Sequence, residues 1–204
     1  CSPSLFTWSP GFPTSPRSAI QLNTALPALH RTKMLVFVMG APGSGKGTLC
    51  RKLSMEFKYS HLSVGDHLRE IVQTRSETLD QDTIDRIRSS ELLDNNQLLP
   101  ILQTAVRRLE LEGAEVILVD GFPRQIEQVK VEGNFNLRPD LVLFFDCPRE
   151  IAKERYLTRA LAGRDNEIDV FKRRHGEFAQ LNRLLVQEYD ERGILITVTF
   201  RREC

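Results

Sequence analysis

Residues 40–48 read GAPGSGKGT, directly after the apolar run MLVFVM, and place four glycines, a lysine and a threonine in nine positions. So few side chains can bury little. A glycine-rich backbone instead exposes N–H groups and lets another molecule approach closely. Gly40, Gly45 and Lys46 fit the G-x-x-x-x-G-K spacing of a phosphate-binding loop, with the apolar run before and a helix-length segment after. In that reading the backbone of Gly43, Ser44, Gly45, Lys46, Gly47 and Thr48 rings a phosphate at a helix start, where the helix dipole favours an anion. Lys46 reaches between β- and γ-phosphates as a mobile point charge. The strict pattern has Ser or Thr directly after the lysine, whereas Gly47 here precedes Thr48. The loop points to a nucleoside triphosphate without saying what is done with it.

Other residues could do chemistry on the same ligand. Asp120 ends the apolar run VILVD, where an unpaired carboxylate would be costly and a cation would compensate it. Gly121 and Pro123 turn and stiffen the segment that follows, so that Arg124 is presented rather than left to wander. Arg69 stands three residues after Asp66, at an expected helix start with Ser63 or Asp66 as its cap. Arg155 and Arg159 share one helix face, and Arg164 and Arg173 follow. Positive charge gathered in this way suits an anionic partner. The bland alternative is a surface helix paired by Asp165, Glu167 and Asp169.

The elements that must position these residues read as α/β. Apolar runs at 34–40, 116–122, 139–147 and 193–200 suit buried parallel strands. Helix-length segments at 46–58, 66–90, 96–112, 148–161 and 166–192 lie between them. This alternation predicts a doubly wound parallel sheet flanked by helices, with ligands at the carboxyl ends of the strands. The first 33 residues hold five of the ten prolines, and no acid precedes Glu56, so 1–33 reads as a disordered, low-complexity tail. Net charge is +1 with 27% charged residues, which gives no support to a nucleic-acid or membrane-surface partner. Four scattered cysteines, with no Cys-x-x-Cys pair, read as reduced thiols in a cytosol-like compartment and argue against a structural zinc. The expected location is cytoplasmic. A mitochondrial one is the alternative, if the Ser-rich, acid-poor tail belongs to a presequence.

Taken together, GAPGSGKGT, HLSVGDHLRE (61–70), VDGFPRQIEQ (119–128) and RYLTRALAGRDNEIDVFKRR (155–174) resemble the adenylate kinase and UMP/CMP kinase family of nucleoside monophosphate kinases over about residues 34–200. The resemblance implies a P-loop NTPase-type sheet in a domain spanning 34–204, with a small helical acceptor-binding region at about 63–93 and a short lid at about 159–169. It implies transfer of the γ-phosphate of Mg·ATP to a nucleoside monophosphate by a monomer. Residues 43–48 and Arg159 would bind ATP, and Thr48 and Asp120 would hold Mg2+, partly through water. The acceptor would lie on Val64, Arg69, Glu91, Leu92, Leu93, Gly121, Phe122, Pro123, Arg124 and Gln128. Lys46, Arg124, Arg159, Arg164 and Arg173 would act on the phosphoryl group, with Arg164 and Arg173 also touching the acceptor.

Gln128, four residues after Arg124, matches a glutamine that pairs with adenine in adenylate kinases, which favours AMP as acceptor. Val64 and LFFDC (143–147) lean towards UMP or CMP or fit neither branch. The family continues beyond TVTFRREC with a loop and a final helix, so a truncated nucleotide-binding relative without transfer activity is one alternative. A kinase for a non-nucleotide small molecule is another.

Overall fold

A computed structural model of the chain describes residues 33–74, 79–158 and 168–200. The tail at 1–32, most of the expected lid at 159–167, and residues 201–204 lie outside the described residues.

The first apolar run forms β1 (Met34–Gly40), and the glycine loop leads from it into α1 (Lys46–Phe57). Then come β2 (Ser60–Ser63), α2 (Val64–Thr74), α3 (Gln81–Arg88) and α4 (Asn95–Leu111). After β3 (Val116–Asp120), α5 (Ile126–Val131) runs into a 3-10 turn, Glu132–Phe135. The chain continues through β4 (Leu141–Asp146), α6 (Arg149–Leu157), α7 (Ile168–Glu191) and β5 (Leu195–Thr199). Among the described residues the five strands form one parallel sheet in the order β2-β3-β1-β4-β5.

Neighbouring side chains on β1 point to opposite faces and seed two cores. Phe37 packs edge-on to Phe122, 5.1 Å between ring centroids, in a core with Leu99, Leu102, Leu185 and Tyr189. Val36 and Val38 join Cys50, Leu118 and Phe145 on the other face. Behind the first core, the buried Glu132 carboxylate accepts from Tyr189 Oη at 2.8 Å and Arg192 Nη1 at 2.6 Å, which ties the end of α7 to the 3-10 turn.

The expected fold class is what forms, with three differences. The single helix expected over 66–90 is two, because Asp80 caps a new start: its Oδ1 accepts from Thr83 N–H at 2.8 Å. The fifth strand, β2, is a polar four-residue edge strand in which only Leu62 is buried, so it carries no apolar run to be read. Six-residue α5 is started by Gln125 and Gln128 in a reciprocal capping arrangement. Among the described residues no helix is long and apolar enough to cross a membrane.

Register matters for function. β1 is flanked by β3 and β4, and Val38 pairs with Asp120 while Gly40 pairs with Phe145. Ser63 pairs with Asp120 from the other side. The glycine loop, Asp120 and the β2–α2 junction therefore meet at the carboxyl end of the sheet.

Candidate active site

A cleft opens there. Its lining includes Gly40, Gly43, Gly45, Lys46 and Gly47 from the loop, Asp66 and Arg69 from α2, Asp120, Gly121, Pro123 and Arg124 around the end of β3, and Arg174, Glu177 and Phe178 from α7. Cations outnumber carboxylates on this wall, so an anionic ligand would be drawn to it.

The loop is built to receive an anion. Gly45 precedes α1 at φ 96°, no side chain caps the helix, and its first turn holds no acid. Backbone donors at such a start need an external partner, and phosphate suits them. The loop apex rests on α6: a Cβ on Gly43 (φ +81°) would sit 2.0 Å from the Ala152 carbonyl oxygen. We expect Gly43→Ala to lose about 1–3 kcal/mol from backbone strain and more from the clash, lowering Tm by roughly 5 °C or more together with ATP affinity. Gly113→Ala (φ +92°), with nothing within 4 Å of its Cβ, should show only the strain component. Thermal unfolding of the two variants, with and without ATP, makes the comparison.

Lys46 folds back over its own loop. Its Nζ donates to the carbonyls of Gly40 and Ala41, both at 2.8 Å, and to Ser44 Oγ at 3.3 Å. Burial, reinforced by the charges of Arg124 and Arg174 and opposed by Asp120, brings its ammonium down to about 8. The folded value lies below the unfolded one, so the protonated lysine costs stability below about pH 8, and that cost is relieved as pH rises towards 10.5. Function follows the opposite sign. The free protein loses its loop charge above about pH 8, so kcat/KM for ATP should fall about tenfold per pH unit beyond that point. A pH profile of kcat/KM reads this directly.

Asp120 is held in its charged form. Burial pushes its carboxyl up, but nearby His61, Lys46 and Arg124 outweigh that and keep it below the usual carboxylate range. Arg124 is desolvated and crowded by Arg174, which lowers its guanidinium to about 10, still cationic at neutral pH. Its Nε donates to the Gly121 carbonyl at 3.0 Å, so the side chain is fixed against the β3–α5 turn. Arg69 pairs with Asp66 on α2.

Not every expected residue faces the cleft. Leu92, Gly121 and Pro123 do, whereas Val64, Leu93 and Phe122 are buried in the core. Ser44 is buried within the loop, and Glu91 and Thr48 are exposed. Gln128 is 1% exposed. Its Oε1 accepts from the backbone N–H of Arg124 at 2.7 Å and of Gln125 at 3.3 Å, while its Nε2 has no partner. Its visible work is to hold the turn that carries Arg124.

The largest difference concerns α7. Arg173 is exposed and donates to the Ser89 carbonyl at 2.5 Å, and it is Arg174 that lines the cleft. Arg174 belongs to the stripe Phe171, Phe178, Leu181 and Leu185, spaced by three and four residues, which turns inward. Arg173 lies about 100° away on the helix. That period is legible in the sequence and would have selected Arg174. Arg155, singled out by its helix face, holds its guanidinium 5.2 Å from the Phe200 ring centroid and beside the loop at Gly45. Arg159 and Arg164 lie outside the described residues.

Comparison with known proteins agrees with this geometry. The family model for adenylate kinase matches residues 38–194. The chain is 36% identical over 172 residues to UMP-CMP kinase 1 of Oryza sativa subsp. japonica, covering 83% of this chain and 68% of that protein. It is 35% identical to probable UMP-CMP kinase 2 of Arabidopsis thaliana, with 84% and 65% covered. It is 29% identical to the uridylate kinase of Saccharomyces cerevisiae, with 86% and 87% covered. The chain thus spans about two thirds of the length of the two plant proteins. A glycine loop, a charged carboxylate at the end of β3 and arginines from three elements meet in one cleft, at the carboxyl end of a parallel sheet. The chain belongs to the adenylate kinase family of nucleoside monophosphate kinases.

Proposed function

We propose that the chain transfers the γ-phosphate of ATP to a nucleoside monophosphate, with UMP or CMP as the preferred acceptor. The observation that carries transfer is the convergence of Lys46, Arg124 and Arg174 beside Asp120 in one cleft, where Arg124 and Arg174 both lower the Lys46 ammonium and Arg174 lowers the Arg124 guanidinium. Cations pressed together at a cost need an anion that outweighs it, and two nucleotides' phosphates supply one. In-line phosphoryl transfer asks chiefly for alignment and charge relief, which three converging cations provide.

The triphosphate lies on residues 43–48, with Lys46 released from its carbonyls to reach the phosphates. Arg69 and Arg124 hold the acceptor phosphate, and Arg174 neutralises the group in flight. Arg159 and Arg164 are assigned to the same phosphates by their match to the family motif. Mg2+ fits the residues present, because Asp120 is an ionised oxygen ligand at the cleft floor and phosphates and water complete such sites. Asp120 and Thr48 would hold it, and when bound it neutralises phosphate charge. Exclusion of water is the task of the segment at 159–167.

The pyrimidine preference rests on Gln128. Adenine recognition by this amide was expected to use both its donor and its acceptor, but both lone pairs of Oε1 are taken by backbone N–H groups. Only Nε2 is left to offer, which suits a carbonyl or ring nitrogen and gives nothing to an adenine amino group. The names of the relatives point the same way. AMP is the second reading, favoured by the partnerless Nε2, which can donate to an adenine ring nitrogen. Initial rates with ATP against UMP, CMP, AMP and GMP decide. We expect UMP or CMP to exceed AMP in kcat/KM by at least about tenfold; preference for AMP would reverse the acceptor assignment and leave transfer intact.

A further inference from the structure

Behind the cleft floor, three side chains converge that the transfer reaction does not use as a set. Cys50 on α1, His61 on β2 and Asp120 at the end of β3 each offer one ligand atom, and those atoms lie within 4.8 Å of one another. His61 Nε2 stands 3.7 Å from Asp120 Oδ2, beyond hydrogen-bond distance, and has no hydrogen-bond partner. Cys50 is 0% exposed.

We propose that Cys50, His61 and Asp120 form a site for a borderline-soft divalent cation of the Zn2+ class, and that its occupation shuts the cleft by capturing Asp120. Ligand chemistry sets the selectivity. A thiolate with an imidazole favours zinc over magnesium, which takes oxygen ligands. Three protein ligands leave a fourth, open position, as in zinc sites that keep an exchangeable water. Tetrahedral bonds of roughly 2.0–2.3 Å put ligand atoms about 3.5 Å apart, so a small inward shift closes the set. Asp120 lines the cleft, so the ion has a way in. On binding, the Zn–S bond replaces the S–H bond and the proton goes to solvent. No local motif marks this set, because the ligands come from three elements and no cysteine pair accompanies them.

The inhibitory consequence, unlike the site itself, rests on the proposed kinase activity. With Asp120 bound to zinc, Lys46 and Arg124 lose the carboxylate that most favours their charges, and Mg·ATP loses a ligand. Packing is the competing account of Cys50, which also contacts the apolar cluster of Val36, Val38, Leu118 and Phe145.

The test uses the full chain carrying Cys1→Ser and Cys204→Ser, so that those two thiols give no signal. Co2+, the spectroscopic probe for zinc, should give thiolate-to-metal charge transfer with tetrahedral d–d bands, and Cys50→Ala should abolish the charge transfer. His61→Ala should weaken Zn2+, measured by competition with Co2+, by at least the roughly 10–100-fold that loss of an outer-shell partner alone costs. Zn2+ should inhibit the parent at concentrations that spare Cys50→Ala, whose basal activity is unchanged. No charge transfer in the parent, or the same charge transfer in Cys50→Ala, overturns the site. If Cys50→Ala does not fold, an unchanged Zn2+ affinity in His61→Ala overturns it alone. Cobalt bound through Cys50 in a chain without kinase activity would keep the site and refute the kinase reading, so the two failures separate.

Discussion

Arg174→Ala is expected to lower kcat by about 10³–10⁵-fold, the worth of an arginine placed on phosphoryl charge. Its neighbour Arg173→Ala should stay within about threefold, as a surface change does when its group never meets the transition state. The contrast follows from one helical step. Arg174 sits on the inward stripe of α7, lines the cleft and raises the cost of charge on Arg124 and Lys46. Arg173 is exposed and spends its guanidinium on the Ser89 carbonyl. As the residue proposed to neutralise the phosphoryl group in flight, Arg174 should show its loss in kcat more than in either KM. Single-turnover rates of the two variants, at saturating substrates, make the comparison. Equal loss in both variants would mean that α7 rotates on closure, and equal retention would remove Arg174 from the chemistry.

Lys46→Met is expected to reduce kcat by about 10³-fold or more, on the scale of a lost preorganised electrostatic contact. Folding should not follow activity down. The lysine is desolvated in the free protein, with its ammonium at about 8, so its charge is held there at a cost. Methionine removes that charge, leaving the Gly40 and Ala41 carbonyls to find water in the open cleft. A variant that unfolds at the parent's midpoint yet turns over a thousandth as fast would place the lysine in function rather than structure. Parallel loss of stability and rate would make it a structural clamp of the loop. Chemical denaturation and steady-state kinetics on the same preparation distinguish these outcomes.

Much of this was legible in the chain because local rules and global fold agree. The apolar runs that become β1, β3, β4 and β5 are long enough to be seen, and glycines at fixed spacing betray the loop. β2 was hidden because a sheet edge needs little apolar surface: SHLS buries one residue. Arg174 is hidden in its motif, which runs by order along the chain, whereas the helix presents residues by angle. Val64 and Phe122 sit within the motifs, yet their apolar side chains go to the core and leave the cleft to their neighbours. The double engagement of Gln128 Oε1 was beyond reach, since it depends on how the β3–α5 turn closes back on the start of α5.

Movement of a phosphoryl group between two nucleotides in this cleft has a direct readout. Phosphorus NMR of the chain with Mg·ATP and UMP or CMP tests it most directly, run beside a sample without acceptor. Nucleoside diphosphate signals should grow from both substrates only when the acceptor is present, with no inorganic phosphate, and Arg174→Ala should abolish the growth. ATP bound without any transfer to a monophosphate, or inorganic phosphate released at the same rate with and without acceptor, would contradict it.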